Sequence, residues 1–256
     1  MKEFICSLAK KAGALAMEYF NGIRPNEIHS KATAADLVST ADGKVEQLII
    51  ETIRSKYPDH NFFGEETGKS NTGSEFCWVI DPIDGTQSFV KRHVYFSISI
   101  AFQKNGRTVA GVVYAPALDQ LFYAEKGKGA FLNDMPIHVS GCTELADAAC
   151  TTGFACVRAK LEHNGLPLFN ALVPNIRDIK RCGSAALDLC NIACGTYDGY
   201  WEYCLNLYDI AAGVLIAQEA GAEVRDYWNG TDYPAKGIVA ANPALLPKLL
   251  EYTKNF

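Results

Sequence analysis

The chain is short of basic charge, of long apolar runs and of paired cysteine motifs, and each shortage excludes a class of function. Lys and Arg number 24 against 29 Asp and Glu, a net charge of −5. No block of like basic charge offsets this, so the electrostatic footprint of a nucleic-acid binder is missing and no nucleic acid is expected as primary ligand. No window approaches the roughly 18 consecutive apolar residues of a membrane span, so no membrane partner is expected. Met1-Lys2-Glu3 leads into an amphipathic pattern without a continuous apolar core of a secretory signal, and the expected compartment is the cytoplasm. The nine cysteines are odd in number and include no Cys-x-x-Cys pair, which fits free thiols in a reducing compartment. Cys190 and Cys194 share a helix face, but without a histidine at ligand spacing they read as packing thiols. The histidines, at 29, 60, 93, 138 and 163, are scattered, and no Ser-His-Asp arrangement is apparent.

Hydrophobic residues make up 48% and charged residues 21% of 256 residues, enough to bury a sizeable core in one large domain or two lobes. Phe4, Ile5, Leu8, Ala12, Leu15, Ala16 and Tyr19 recur at helical spacing and predict a helix over 2–21. Val45, Leu48, Ile49 and Ile53 predict a second, ending before Pro58. A strand running into Asp81, a short helix near 86–91, and strands at 95–103, 108–115 and 119–125 follow, with Asn105-Gly106 as a hairpin turn. The triplet 127-GKG-129 lacks the flanking pattern of a phosphate-binding loop and reads as a turn. From about residue 145 strand-like pieces at 148–153, 176–181, 198–203, 222–226 and 237–241 alternate with helical stretches at 159–172, 184–195, 207–220 and 243–254. That rhythm predicts an α/β lobe over 145–256 sharing one core with an α+β lobe over 1–144.

The chemistry concentrates in 78-WVIDPIDGTQSF-89, where Asp81 and Asp84 stand three residues apart at the end of an apolar strand. A carboxylate there can be a helix cap or surface turn, and Asp84 before Gly85-Thr86 suits a cap. Like charges at close quarters raise each other's pKa unless a cation neutralises them. Further acids lie in 64-GEE-66 and 35-ADLVSTAD-42, and Asp209 opens a later helix. Carboxylates clustered without His or Cys favour a hard cation held by oxygen, magnesium over zinc. Pro82 stiffens the turn and leaves the Ile83 carbonyl free for a metal. The N–H groups of Gly85 and Thr86 at a helix start can hold a phosphate oxygen.

GEE, DPIDGT, 183-GSAALDLCNIACGTYDGYWE-202 and 208-YDIAAG-213, in that order, resemble the inositol monophosphatase family. The resemblance implies a layered αβαβα sandwich, a homodimer, and hydrolysis of phosphate monoesters that needs two or three Mg2+ per site and is inhibited by lithium. It implies that Glu65, Asp81 and the Ile83 carbonyl hold a first magnesium, and Asp81, Asp84 and Asp209 a second, with a third near Glu65. Glu65 and Thr86 would activate the attacking water, and the amides of Gly85 and Thr86 would take the phosphate. Gly183, Ser184, Ala185, Glu202 and Asp209 would line the side of the alcohol, a small polyol. Lys31, in a loop, would face the phosphate or solvent. Two positions depart from the family pattern: Ser88 stands where Asn is usual, and Tyr208 where Trp is usual. The alternatives are a histidinol-phosphate or 3′(2′)-phosphoadenosine phosphatase of the same superfamily and, from another class, an RNA-polymerase-associated or regulatory binding protein on this fold.

Overall fold

A computed structural model describes residues 1–22, 31–162 and 164–254, with the backbone alone over 31–39. The first layer is two helices, α1 (Lys2–Gly22) and α2 (Lys31–Lys56). They pack on a mixed sheet built from β1 (Asn61–Gly64), β2 (Gly68–Lys69), β3 (Phe76–Asp84), β4 (Ser97–Lys104), β5 (Arg107–Ala115), β6 (Gln120–Glu125), β7 (Ala130–Leu132) and β8 (Met135–Ile137). Its spatial order is β2-β1-β3-β4-β5-β6-β7-β8; β1 runs parallel to β3, and all other pairs are antiparallel.

The second sheet takes β9 (Ala149–Thr152), β10 (Asp178–Lys180), β11 (Gly199–Glu202), β12 (Glu223–Arg225) and β13 (Ile238–Ala241) in the order β10-β9-β11-β13-β12. Between the sheets lie α6 (Ala185–Ala193) and α7 (Leu207–Glu219), and beyond the second sheet α5 (Leu166–Leu172) and α8 (Leu246–Thr253). Five layers result: an αβαβα sandwich.

Strand burial explains why this order holds. On β3, Trp78 and Ile80 face α1 and α2, while Val79 faces α6 and α7. On β11, Tyr200 faces the middle helices and Trp201 the outer ones. Both strands are covered on both faces, so they read as continuous apolar runs rather than alternation. The middle helices are apolar around most of their circumference for the same reason: α7 buries every residue from Ile210 to Ala217.

Several expectations need correction. Of the helix expected over 159–172 only α5 forms; a separate short helix, α4 (Ala155–Arg158), ends before that range, and ahead of α5 the Asn164 side chain accepts the Leu166 N–H at 3.1 Å. Pro167 then fits the first turn of α5, where its missing N–H costs nothing. The second helix begins at Lys31, well before Val45, so Lys31 opens a helix rather than lying in a loop; its side chain, His29 and His163 lie outside the described residues. The strands β1, β2, β7 and β8 were not expected. Their signals are short, the clearest being Asn133-Asp134 at positive φ between β7 and β8. All nine cysteines are free, and Cys190 is buried in the core between the sheets. Among the described residues no helix is long and apolar enough to cross a membrane.

Candidate active site

The end of β3 is bent before it reaches the surface. Its pairing with β4 shifts register between Asp81 and Asp84, the position of Pro82, which has no N–H to give the ladder. The bulge is followed by Gly85 at φ 96, an αL conformation that disfavours a side chain. A Cβ there would stand 2.9 Å from the Tyr95 carbonyl oxygen. Helix α3 (Thr86–Val90) then starts, with Gly85 at its N-cap. Asp84 is therefore not the cap of this helix. It reaches across to the second lobe, where its Oδ2 accepts the Ser184 hydroxyl at 2.6 Å and the Ala186 N–H at 2.8 Å, at the start of α6.

Around this bend lies a cavity of about 210 Å3. Its walls include Glu65, Asp81, Asp84, Gly85, Thr86, Gly183, Ala185, Glu202 and Asp209 from the expected set. Two expected residues do not line it. Ser184 is fully buried beneath it, holding Asp84 and capping α6 through the Leu187 N–H. Ile83 is buried in the core, and its carbonyl accepts the Thr86 hydroxyl at 3.4 Å. Gly153, Arg158 and Arg181 also line the cavity and were not anticipated. Each is remote in sequence from the acidic motifs and carries no local signature.

Burial together with mutual repulsion governs the acids. Desolvation, then the Asp209 charge, pushes Asp84 up to about 7. Desolvation also lifts Asp209 and Glu65 to about 7, with like charges adding to both. Asp81 is raised well above the usual carboxylate range by burial and by the charges of Asp84, Glu65, Asp209 and Asp42. Asp81 Oδ1 is buried without a hydrogen-bond partner, and so is Asp42 Oδ1 on α2. Burial and the charges of Glu65, Glu66 and Glu46 push Asp42 up to about 8. Glu46, fully buried on the same helix, accepts the N–H groups of Glu66 at 3.1 Å and Thr67 at 2.8 Å, which fixes the turn that carries Glu65.

An oxygen-only donor set, mutually repelling and with an orphaned carboxylate oxygen, fits a hard divalent cation. Among the described residues no three His, Cys, Asp or Glu side chains are already drawn into a metal-holding group. Asp84 is turned toward Ser184 and Ala186, and Asp209 toward the Asn206 N–H at 2.6 Å, where it completes the capping box of α7.

Glu202 closes the far wall. It is buried, not a surface acid, accepts the Tyr200 hydroxyl at 3.0 Å, and is pushed up to about 7 chiefly by desolvation. Gly153 makes room for it, since a Cβ at 153 would overlap its carboxylate. Of the two unusual positions, Ser88 is buried with its hydroxyl 3.4 Å from the Cys182 carbonyl, and Tyr208 packs edge-on against Phe63.

A sequence profile described as the inositol monophosphatase family matches residues 1–255. The Nus factor SuhB of Pasteurella multocida is 42% identical over 244 residues, 94% of this chain and 91% of that protein. The solved structure of inositol monophosphatase from Anabaena superposes with a TM-score of 0.88 at 34% identity, covering 99% of this chain and 94% of the other. The extragenic suppressor protein suhB of Bartonella henselae superposes at 0.87 and 34% identity, covering 99% and 98%.

Proposed function

The chain belongs to the inositol monophosphatase family, and from that premise we propose that it is a magnesium-dependent hydrolase of phosphate monoesters, with inositol phosphate as its first candidate substrate. The observation that carries the reading is the meeting in one cavity of Glu65, Asp81, Asp84 and Asp209 with the Gly85-Thr86 turn and Glu202. Phosphate monoesters are among the slowest bonds to hydrolyse unaided, and charge neutralisation is the main requirement. Asp81, Asp84, Asp209, Glu65 and the Ile83 carbonyl would hold two or three Mg2+. When bound, the metal supplies positive charge for the phosphoryl oxygens and acidifies water.

The protein's own groups do the rest. The amides of Gly85 and Thr86 hold and orient the phosphate at the start of α3. Glu65 and Thr86 align the attacking water and hold its proton. Glu202, with Gly183 and Ala185 beside it, accepts a hydroxyl of the leaving polyol. Ser184 contributes from below by fixing Asp84. The lobes 1–144 and 145–256 work as one unit, because Asp84 of the first is anchored on α6 of the second. We further propose a homodimer in the cytoplasm.

One observation favours a second reading. The similar protein of Pasteurella multocida is named a Nus factor, which supports an RNA-polymerase-associated role on this fold and runs partly against the expectation of no nucleic acid as primary ligand. The two readings are compatible when the acids are retained. They are tested with Glu202→Gln on inositol 1-phosphate, histidinol phosphate and an aryl phosphate. A hydrogen bond to a charged group contributes about 1.5–3 kcal/mol, so kcat/KM for the polyol ester falls roughly 10- to 150-fold, and for the aryl ester far less. Equal losses on all three would remove Glu202 from the substrate, and no turnover of any ester by the unmodified protein would leave the binding role alone.

A further inference from the structure

Asp188 is a buried acid that the hydrolysis does not use. It lies in the first turn of α6 and is 1% exposed, and burial lifts its carboxyl well above the usual range. The Tyr95 hydroxyl, donating to its Oδ1 at 2.9 Å, pulls the other way. The foremost charges acting on it, those of Glu202 and Asp84, are of like sign. Replacing a buried polar pair by apolar groups of similar shape is often neutral or stabilising, so stability alone does not account for this one.

Tyr95 comes from the other lobe. Residues 91–94 are exposed, and Tyr95 ends that run just before β4. Its hydroxyl also accepts the Asn191 Nδ2 at 2.7 Å, from the next turn of α6. The Tyr95 backbone, meanwhile, touches the turn proposed to take the phosphate. Its carbonyl oxygen lies 2.9 Å from where a Gly85 Cβ would stand, and the Gly183 carbonyl oxygen lies 3.3 Å from the same point. Gly85 is thus wedged between two backbones, one held by Tyr95 and one leading into α6. The Tyr95–Asp188 bond ties those two backbones together. The Ser88 hydroxyl of α3, 3.4 Å from the Cys182 carbonyl, closes the same seam.

We infer that the Tyr95–Asp188 hydrogen bond is a positioning latch, which sets the gap around Gly85 and so fixes the Gly85-Thr86 amides that take the phosphate. The latch rests on the phosphatase reading and belongs to its phosphate site. Asp84 is held separately, by Ser184 and Ala186, so the latch governs phosphate without governing the metal. Tyr95→Phe tests it by keeping the ring and removing the hydroxyl. In saturating magnesium, calorimetric titration with inorganic phosphate should show binding weaker by roughly tenfold, and KM for inositol 1-phosphate should rise with it. Magnesium binding, titrated separately, should stay as in the parent. Asp188→Asn keeps an oxygen to accept the hydroxyl and should retain phosphate binding. Asp188→Leu should repeat the loss, and adding Tyr95→Phe to it should lose nothing more. Should Asp188→Leu not fold, Tyr95→Phe against Asp188→Asn decides alone. If Tyr95→Phe melts earlier but binds phosphate as the parent does, the bond is only structural and the latch is overturned. Weakening of magnesium and phosphate together overturns it too. A parent that binds phosphate but hydrolyses no ester fails the phosphatase reading, and the phosphate titrations still decide the latch. A parent that binds no phosphate overturns the latch itself.

Discussion

Ser184→Ala is the substitution in which fold and site are most tightly joined. The hydroxyl is fully buried, donates to Asp84 Oδ2 at 2.6 Å, and accepts the Leu187 N–H at 3.2 Å as N-cap of α6. Its single proton is committed to Asp84, so at its 3.3 Å contact with the Ser97 hydroxyl it is the acceptor. Loss of an N-cap costs about 1 kcal/mol. Loss of a hydrogen bond to a charged group costs about 1.5–3 kcal/mol. Asp84 keeps the Ala186 N–H and can protonate near neutral pH, which offsets part of the second term. The net expectation is a destabilisation of about 2–3 kcal/mol, or a fall in Tm of roughly 4–12 °C for a chain of this size. Urea unfolding at pH 7.5 measures it as a shift in midpoint at constant slope. A loss below about 0.5 kcal/mol would refute the claim that this hydroxyl ties the two lobes together.

Gly153→Ala should lower activity through Glu202 alone, because the added methyl displaces the carboxylate; a polyol ester should lose at least tenfold in kcat/KM, and equal activity would show that Glu202 can move freely. The raised acids also set a pH dependence. Asp84, Glu65, Asp209 and Glu202 titrate near 7 in the fold and near 4 when unfolded, so between those values the folded state binds more protons. Metal-free stability should therefore fall as pH rises from about 4 to 7, with Asp42 extending the fall toward 8; the depressed pKa of His60, a single group, opposes it. Magnesium, which binds the ionised carboxylates, should raise Tm at pH 8 and do little at pH 5. Thermal melts in chelator and in magnesium check both, and metal-free stability that rises from pH 5 to 8 would contradict the assignment.

The part of the site that could be read in advance is the part that is contiguous in sequence. Asp81, Pro82, Asp84, Gly85 and Thr86 specify a bulge, a left-handed turn and a helix start within six residues, and the structure puts all three there. The Asn105-Gly106 hairpin is legible for the same reason, since its positive φ values demand those residues. What escaped depends on long-range contact. Nothing local reveals that Asp84 is held by Ser184 and Ala186, a hundred residues away, or that Gly153 is small because Glu202 fills its space. Asp42 is among the acids noted in 35-ADLVSTAD-42, but Glu46 is not, and only packing brings it under the Glu65 turn. Arg158 and Arg181 read as ordinary surface charges until the fold sets them on one cavity wall. The five-layer order was accessible through the family resemblance, whereas the short strands β1 and β7 pair with the longer β3 and β6, and β2 and β8 pair with β1 and β7 in turn.

The most direct test of the central claim is phosphate release from inositol 1-phosphate over a magnesium titration, comparing the parent with Asp84→Asn. The amide keeps the size of the carboxylate and can still accept the Ala186 N–H, so the fold should persist, as a melt of the variant would show. Removing that charge should cost at least a hundredfold in kcat and shift half-saturation to higher magnesium. Near-parental turnover by Asp84→Asn at ordinary magnesium, or full parental activity in chelator, would contradict it.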